Sequence, residues 1–355
     1  MTLRRSAAAA LGGALALAAV GAQAQTVLRY AEYSSDRGVR AEQMQWFADE
    51  LAARTEGRVK VEFYWGGSLL PPREILGGVS TGVADLGTVA AVYNPREMNE
   101  LLVGDIPIKV GDMWAASRAV LSIARDEGSA LDASFDEMGL ELNAVYPVGP
   151  TQLVCAGTDI ETAADLEGKR ILTFGALTAP FEKVGAKPVS ITIAEAFSGL
   201  SSGLLDCTVM YTYAVTAYRL HEVTGQLVNT NFISPVAMGM AVNQTSLARL
   251  SPEDQATFRE LGVALTDRLS EKVGAASAAV EAEVAQGVDG HVLAVHPFSE
   301  ADSQKLWDAG APDVQAWVDQ SAEYGFDGAA LRDLFLSRVE RFEAEKAAKG
   351  YPWER

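Results

Sequence analysis

The chain has 355 residues, 48% of them hydrophobic, and a formal charge of −18 at pH 7. That length leaves room for two domains of ordinary size, and a globular apolar fraction without low-complexity tracts excludes a disordered chain. The excess of acid argues against nucleic acid and against an anionic membrane surface as partners.

Residues 1–24 read as a secretory signal peptide. Arg4 and Arg5 supply the positive start, Ser6 to Gly21 the apolar stretch, and Ala22-Gln23-Ala24 the cleavage site, which makes Gln25 the first mature residue. Without Arg4 and Arg5 the mature charge is −20, from 27 basic and 47 acidic residues. The apolar run is short and Ala-rich for an anchor, and no later segment approaches about 18 consecutive apolar residues. The expectation is a secreted, periplasmic protein with no stable membrane insertion.

Val27 to Tyr33 reads as a strand, followed by a polar loop, Ser34 to Gly38. A helix follows with Met44, Trp46, Phe47 and Leu51 on its apolar face, and it ends at Thr55-Glu56-Gly57. Arg58 to Tyr64 alternates polar and apolar with period two, as a strand does. Strand–helix–strand over so few residues is a βαβ unit, which implies a largely parallel sheet with helices on its faces.

An internal similarity follows. Glu74 to Asp85 reads EILGGVSTGVAD and Glu195 to Asp206 reads EAFSGLSSGLLD; both fit E-x-x-x-G-[VL]-S-x-G-x-x-D without a gap. Each is expected to end a short helix at Gly82 or Gly203 and run into a buried strand, because glycine accepts the left-handed stop. Upstream, a glycine and a short strand precede each copy, at Gly57 to Val61 and Gly168 to Thr173. Two copies about 120 residues apart imply two lobes on one plan.

Asn143 to Pro150 and Phe232 to Val236 are apolar segments broken by Pro or Gly, suited to two crossings between lobes. Ser251-Pro252-Glu253-Asp254 is a helix start with Ser as N-cap and Pro at the first position. The pattern from there to Val288 is one long helix or two abutting ones. A strand from His291 to His296 and two terminal helices complete the chain.

Cys155 and Cys207 stand apart, with no C-x-x-C. An oxidising periplasm permits a disulfide between them, and two small buried apolar side chains is the other reading. No catalytic or metal-ligand signature is present, and His291 and His296 point to opposite faces if their strand has period two. The loops after strands are where an α/β lobe holds a ligand. In the first lobe they carry Tyr33, Ser34, Ser35, Arg37, Tyr64 and Tyr93. In the second they carry Gln152, Thr173, Phe174, Met210, Tyr211 and Tyr213. Aromatic walls with a few placed polar groups suit a small-molecule cleft.

Six segments in this order resemble the DctP-type extracytoplasmic binding subunits of tripartite ATP-independent periplasmic (TRAP) transporters. They are Phe47–Tyr64, Gly77–Gly87, Gly104–Asp112, Thr162–Ile171, Val184–Asp206 and Phe232–Gln255. The resemblance implies an α/β, two-lobed periplasmic-binding-protein fold (type II-like) with mixed sheets flanked by helices and a long helix spanning both lobes. The boundaries expected are 25–148 plus 236–285 for lobe 1 and 149–235 plus 286–355 for lobe 2. It implies a receptor, not an enzyme, without a cofactor or metal. Such a receptor captures a small polar metabolite and delivers it to a TRAP membrane permease driven by an ion gradient. The family's carboxylate-binding arginine falls at Leu172, with Arg170 two residues earlier on the same strand face. Its second arginine falls near Thr151 or Gln152, and a frequent asparagine at Met210. The ligand is thus an organic acid held by a non-standard cation such as Arg37 or Arg170, or a neutral or amine-bearing compound. The rival readings are a periplasmic enzyme using Glu32 or Asp206 near a histidine, and a sensor-coupled binding protein. The oligomer is a monomer or a homodimer.

Overall fold

In the computed structural model, which describes residues 25–157, 159–233 and 235–355, the first βαβ unit is β1 (Thr26–Ala31), α1 (Val39–Arg54) and β2 (Val59–Tyr64). The signal-peptide reading of residues 1–24 lies outside the described residues. β1 and β2 pair in parallel, Thr26 opposite Val59 through Ala31 opposite Tyr64. α1 forms where it does because Met44, Phe47, Ala48 and Leu51 recur at helical spacing, and all four are buried. Then come α2 (Ile75–Ser80), β3 (Leu86–Ala90), α3 (Met113–Ile123), α4 (Ala130–Glu137) and β4 (Leu140–Val145). Every residue of β3 is buried, as suits a strand with both faces covered.

The chain then builds β5 (Thr151–Cys155), β6 (Arg170–Leu172), α5 (Thr178–Lys183), β7 (Lys187–Val189), α6 (Ala196–Ser201), β8 (Cys207–Tyr211), α7 (Ala214–Ala217) and β9 (Gln226–Asn229). It returns through β10 (Met238–Asn243), α8 (Gln244–Leu247) and α9 (Pro252–Gln286). β11 (Ala294–Pro297), α10 (Glu300–Gln320) and α11 (Gly328–Lys349) follow.

The two sheets have the orders β2-β1-β3-β10-β4 and β7-β6-β8-β5-β9-β11. Their first five positions correspond, parallel pairs at one end and antiparallel pairs at the other. β10 belongs to the first sheet but arrives after the second lobe. β5 belongs to the second sheet and follows directly on the first.

The repeated sequence unit has a structural cause. Gly82 and Gly203 close their helices at φ 79° and 71°. The aspartate that ends each unit is tied to an arginine on the neighbouring parallel strand. Asp85 Oδ2 accepts from the Arg29 amide at 2.8 Å and from Arg29 Nε at 3.3 Å. Asp206 Oδ2 accepts from the Arg170 amide at 2.7 Å and from Arg170 Nε at 3.0 Å. β6 therefore corresponds to β1, and β7 to β2. Matching the strand after Gly168 with the strand after Gly57 is off by one strand.

The crossings lie side by side. The Tyr146 amide donates to Met238 O at 2.7 Å, and the Thr151 hydroxyl donates to Ile233 O at 3.0 Å. α9 is one continuous helix of 35 residues, about 52 Å long, with the Ser251 hydroxyl capping the Asp254 amide. It packs on α1 and β4 in the first lobe and on β11 in the second. Cys155 and Cys207, directly opposed across β5 and β8, form a disulfide. Two expectations need correction. His291 lies in a turn that bridges back to Val288, and the strand begins later, at Ala294. Assigning all of 286–355 to lobe 2 fails at α11, which packs on α3 in lobe 1, whereas α10 packs on α5 in lobe 2.

Gly262 lets α9 approach β4: a Cβ there would stand 2.2 Å from Asn143 O and 2.4 Å from Asn143 Nδ2, whereas at Gly274 it would meet nothing. Gly262→Ala is expected to lower unfolding free energy by about 1–3 kcal/mol. Gly274→Ala is expected to raise it by about 0.5–1 kcal/mol through helix propensity. Urea denaturation checks both, and equal effects at the two positions would remove the close-contact account.

Candidate ligand-binding cleft

Between the sheets lies a cleft of about 880 Å³, open to solvent. The first lobe contributes Tyr33, Ser34, Ser35 and Arg37 from the loop after β1, Arg40 from the first turn of α1, Tyr93 beyond β3, and Asp105. The second contributes Phe174, Tyr211, Tyr213 and Tyr218, with Ile191 and Ile193. Val148, Pro235, Ala237 and Met238 come from the crossings.

The aromatic rings touch in pairs. Tyr33 meets Tyr93 edge-on at 5.4 Å, Phe174 meets Tyr211 at 5.8 Å, and Tyr211 stacks with Tyr213 at 6.2 Å. Burial pushes the phenol pKa values of Tyr33, Tyr93, Tyr211, Tyr213 and Tyr218 up, so these hydroxyls stay neutral at neutral pH.

Beneath the rings lies a buried ion pair. Glu32, with no exposed surface, accepts from Arg40 at 3.2 Å, from the Ser34 amide at 2.7 Å and from the Thr88 hydroxyl. Thr88 in turn meets the Tyr30 hydroxyl at 2.9 Å, and Tyr30 meets Tyr146 at 2.8 Å. The chain of hydrogen bonds runs from the cleft floor to the start of the first crossing. Met238, on the second crossing, accepts at its sulfur from Tyr33 at 2.9 Å and from Arg40 at 3.4 Å. Burial opposes the Arg40 charge, but Glu32 and the nearby tyrosines outweigh it, and its pKa is raised. Its guanidinium also lies 5.3 Å from the Tyr33 ring centre.

Asp105 is 5% exposed. Its carboxylate accepts from the Ala237 amide at 2.8 Å, and no cation pairs with it among the described residues. Burial pushes its pKa up to about 7, against the pull of the Ala237 and Val236 amides. The buried Ser34 hydroxyl has no hydrogen-bond partner among the described residues.

Of the residues singled out from sequence, Tyr33, Ser34, Ser35, Arg37, Tyr93, Phe174, Tyr211 and Tyr213 line the cleft. Six do not. Tyr64 ends β2 away from it, and the buried Thr173 hydroxyl bonds with that of Thr178 at 3.1 Å. Gln152 is buried and accepts from the Thr230 amide at 3.1 Å, inside the second lobe. Arg170 is tied to Asp206 at 2.6 Å, so it does not replace a missing arginine. Leu172 and Met210 are core residues, 1% and 0% exposed. Arg40, Asp105 and Tyr218 went unread. Arg40 had a signal, since a cation in the first turn of a helix opposes its dipole. Asp105 had one as well, as a lone acid in the apolar run LLVGDIPI. Glu32 and Asp206 bond to arginines rather than to a histidine. Among the described residues, no group of three or more His, Cys, Asp or Glu is placed to hold a metal ion, and no helix is long and apolar enough to cross a membrane.

A buried acid whose pKa is raised contributes stability at low pH that is lost as pH climbs through the raised value. Asp105→Asn keeps the acceptor for the Ala237 amide and removes the charge. The variant should therefore gain melting temperature relative to the parent between pH 4 and pH 8, with most of the gain below about pH 7. Differential scanning calorimetry checks this, and a pH-independent gap would show that Asp105 does not titrate in that window.

Comparison with known proteins agrees with this architecture. The family description "Bacterial extracellular solute-binding protein, family 7" (DctP) matches residues 30–321. The 2,3-diketo-L-gulonate-binding periplasmic protein YiaO of Escherichia coli K12 is 26% identical over 213 residues, 59% of this chain and 63% of that one. Among solved structures, a marine metagenome TRAP solute-binding protein specific for aromatic acids superposes with a TM-score of 0.79 at 20% identity, covering 89% of this chain and 99% of that one. The ectoine-binding protein of the TeaABC TRAP transporter of Halomonas elongata superposes with a TM-score of 0.76 at 20% identity, covering 89% and 100%. The chain belongs to the DctP family of bacterial extracellular solute-binding proteins.

Proposed function

We propose that this protein is the periplasmic receptor of a TRAP transporter, capturing a small polar metabolite between its lobes and delivering it to a membrane permease. The observation that carries the reading is that the walls of the cleft come from both lobes. A ligand touching both favours the closed form by the difference between its affinities for the closed and open forms. Related proteins bind 2,3-diketo-L-gulonate, aromatic acids and ectoine, which sets the size class. Tyr33, Ser34, Tyr93, Phe174, Tyr211 and Tyr213 are the proposed contacts, with Arg40 and Asp105 added.

The lips support closure by hinge motion. A Cβ on Gly38, in the first lobe, would meet Ala217 of the second at 3.4 Å. One on Gly175, in the second, would meet Val92 of the first at 2.7 Å. Gly175 has φ 53°, so a side chain there meets strain as well as collision.

A thermal-shift screen of the mature protein against organic acids, amines, polyols and sulfonates tests the reading. A true ligand stabilises by RT ln(1 + [L]/Kd), about 2.7 kcal/mol at a hundredfold excess over Kd. It should also shrink the radius of gyration in X-ray scattering. Gly175→Val is expected to weaken binding about tenfold or more and to blunt that shrinkage. No ligand-dependent stabilisation across the panel would count against the receptor reading.

A further inference from the structure

The charges lining the cleft are Arg37, Arg40 and Asp105. Arg37 is at the rim, its side chain 71% exposed and 3.9 Å from Asp36, so solvent screens it. Arg40 is neutralised by Glu32, which is fully buried and meets it at 3.2 Å. Asp105 has no such partner. Among the described residues its direct bonds come from backbone amides, and it lies close enough to Tyr211 to raise that phenol's pKa. Two net results follow. Among the described residues the interior of the cleft holds one ionisable group without a counter-charge, the Asp105 carboxyl, which is about half ionised near pH 7 and which a cation beside it would draw to the negative form. The surfaces beside it are electron-rich ring faces, Tyr211 and its stacking and edge partners Tyr213 and Phe174 from one lobe, with Tyr33 and Tyr93 from the other.

We propose that the metabolite captured is a small organic ammonium ion, seated with its charge against Asp105 and the tyrosine faces. The proposal rests on the receptor reading above and names the ligand class for that same cleft. An ammonium ion supplies the charge the buried carboxylate lacks, and aromatic faces attract cations through their quadrupoles, more strongly where water is excluded. A ligand carboxylate alone would bring a second acid beside Asp105, and Arg40, the cation inside the cleft, is already paired with Glu32. The buried Ser34 hydroxyl, without a partner among the described residues, offers a neutral hydrogen bond to a polar tail of the ligand.

The test is isothermal titration of the mature protein, refolded from urea to strip any carried ligand. The probes are choline, ethanolamine, 3,3-dimethylbutan-1-ol (the uncharged carbon isostere of choline) and 3-hydroxybenzoate. At least one ammonium ion should bind, and choline at least tenfold tighter than its isostere if the methylated ion is the one preferred. Asp105→Asn should weaken ammonium binding at least tenfold while the circular dichroism spectrum stays unchanged, and Tyr211→Leu should weaken it too. Failure of both ammonium ions to bind at 10 mM, an isostere that binds as well as choline where choline is the hit, or an Asp105→Asn variant with undiminished affinity would each overturn the proposal. Binding of 3-hydroxybenzoate with the ammonium ions excluded would overturn it and leave the receptor reading standing. Silence from these probes and from the broad screen alike would bring down both.

Discussion

Each lobe completes its sheet with a strand delivered from the other. β5 enters the second sheet straight from the first lobe and lies between β8 and β9, while β10 returns to the first sheet between β3 and β4. Both are antiparallel to their neighbours in otherwise parallel surroundings. Neither sheet is continuous without the crossing that supplies its strand, so the lobes are joined twice by adjacent, hydrogen-bonded segments. α9 adds a third connection.

That arrangement explains why polar groups are buried where they are. Taking Glu32 and Arg40 out of water is costly, and their attraction offsets the cost only with good geometry and further hydrogen bonds. Glu32 has those bonds, from Ser34 and Thr88, and the network continues through Tyr30 to Tyr146 at the crossing. The pair therefore fixes the cleft floor relative to the hinge. The repeated Arg–Asp ties are different in kind. Asp85 is 3% exposed and has Ser246 and Arg249 as extra partners, whereas Asp206 is 33% exposed and is bonded to Arg170, with the charge of Lys169 acting on it as well. The same motif serves a covered sheet end in one lobe and a solvated one in the other.

The two-lobed plan was legible because it is written locally. Helix-stopping glycines, a buried strand after them and an aspartate at a fixed offset are all short-range features, and they recur at 74–85 and 195–206. The long helix was legible from its Ser-Pro-Glu-Asp start. The site was legible in its aromatics, which stand at strand ends, and in Ser34, Ser35 and Arg37 of the loop after β1. Arg170 misled because period two places it on the face of Leu172, yet β6 has just three residues and its first is solvent-facing beside Asp206. Arg40 and Asp105 are placed at the cleft by packing between segments far apart in sequence, Arg40 against Met238 and Asp105 against Ala237, both of the second crossing. The fate of α11 was hidden for the same reason. Nothing local says that Phe335, Val339 and Phe342 cover the lobe 1 core rather than lobe 2.

The cleft and the hinge meet in one residue. Met238 begins β10, so its backbone holds the second crossing to the first through Tyr146, while its sulfur accepts from Tyr33 and Arg40 on the cleft floor. Asp105 works on the same segment from the other side, through the Ala237 amide. Any molecule that draws on Tyr33, Arg40 or Asp105 therefore acts on groups already bonded to the hinge. Under the receptor reading this makes recognition and closure one event. The ligand would complete a polar set that spans the crossing, faced from the second lobe by the rings of Tyr211, Tyr213 and Phe174.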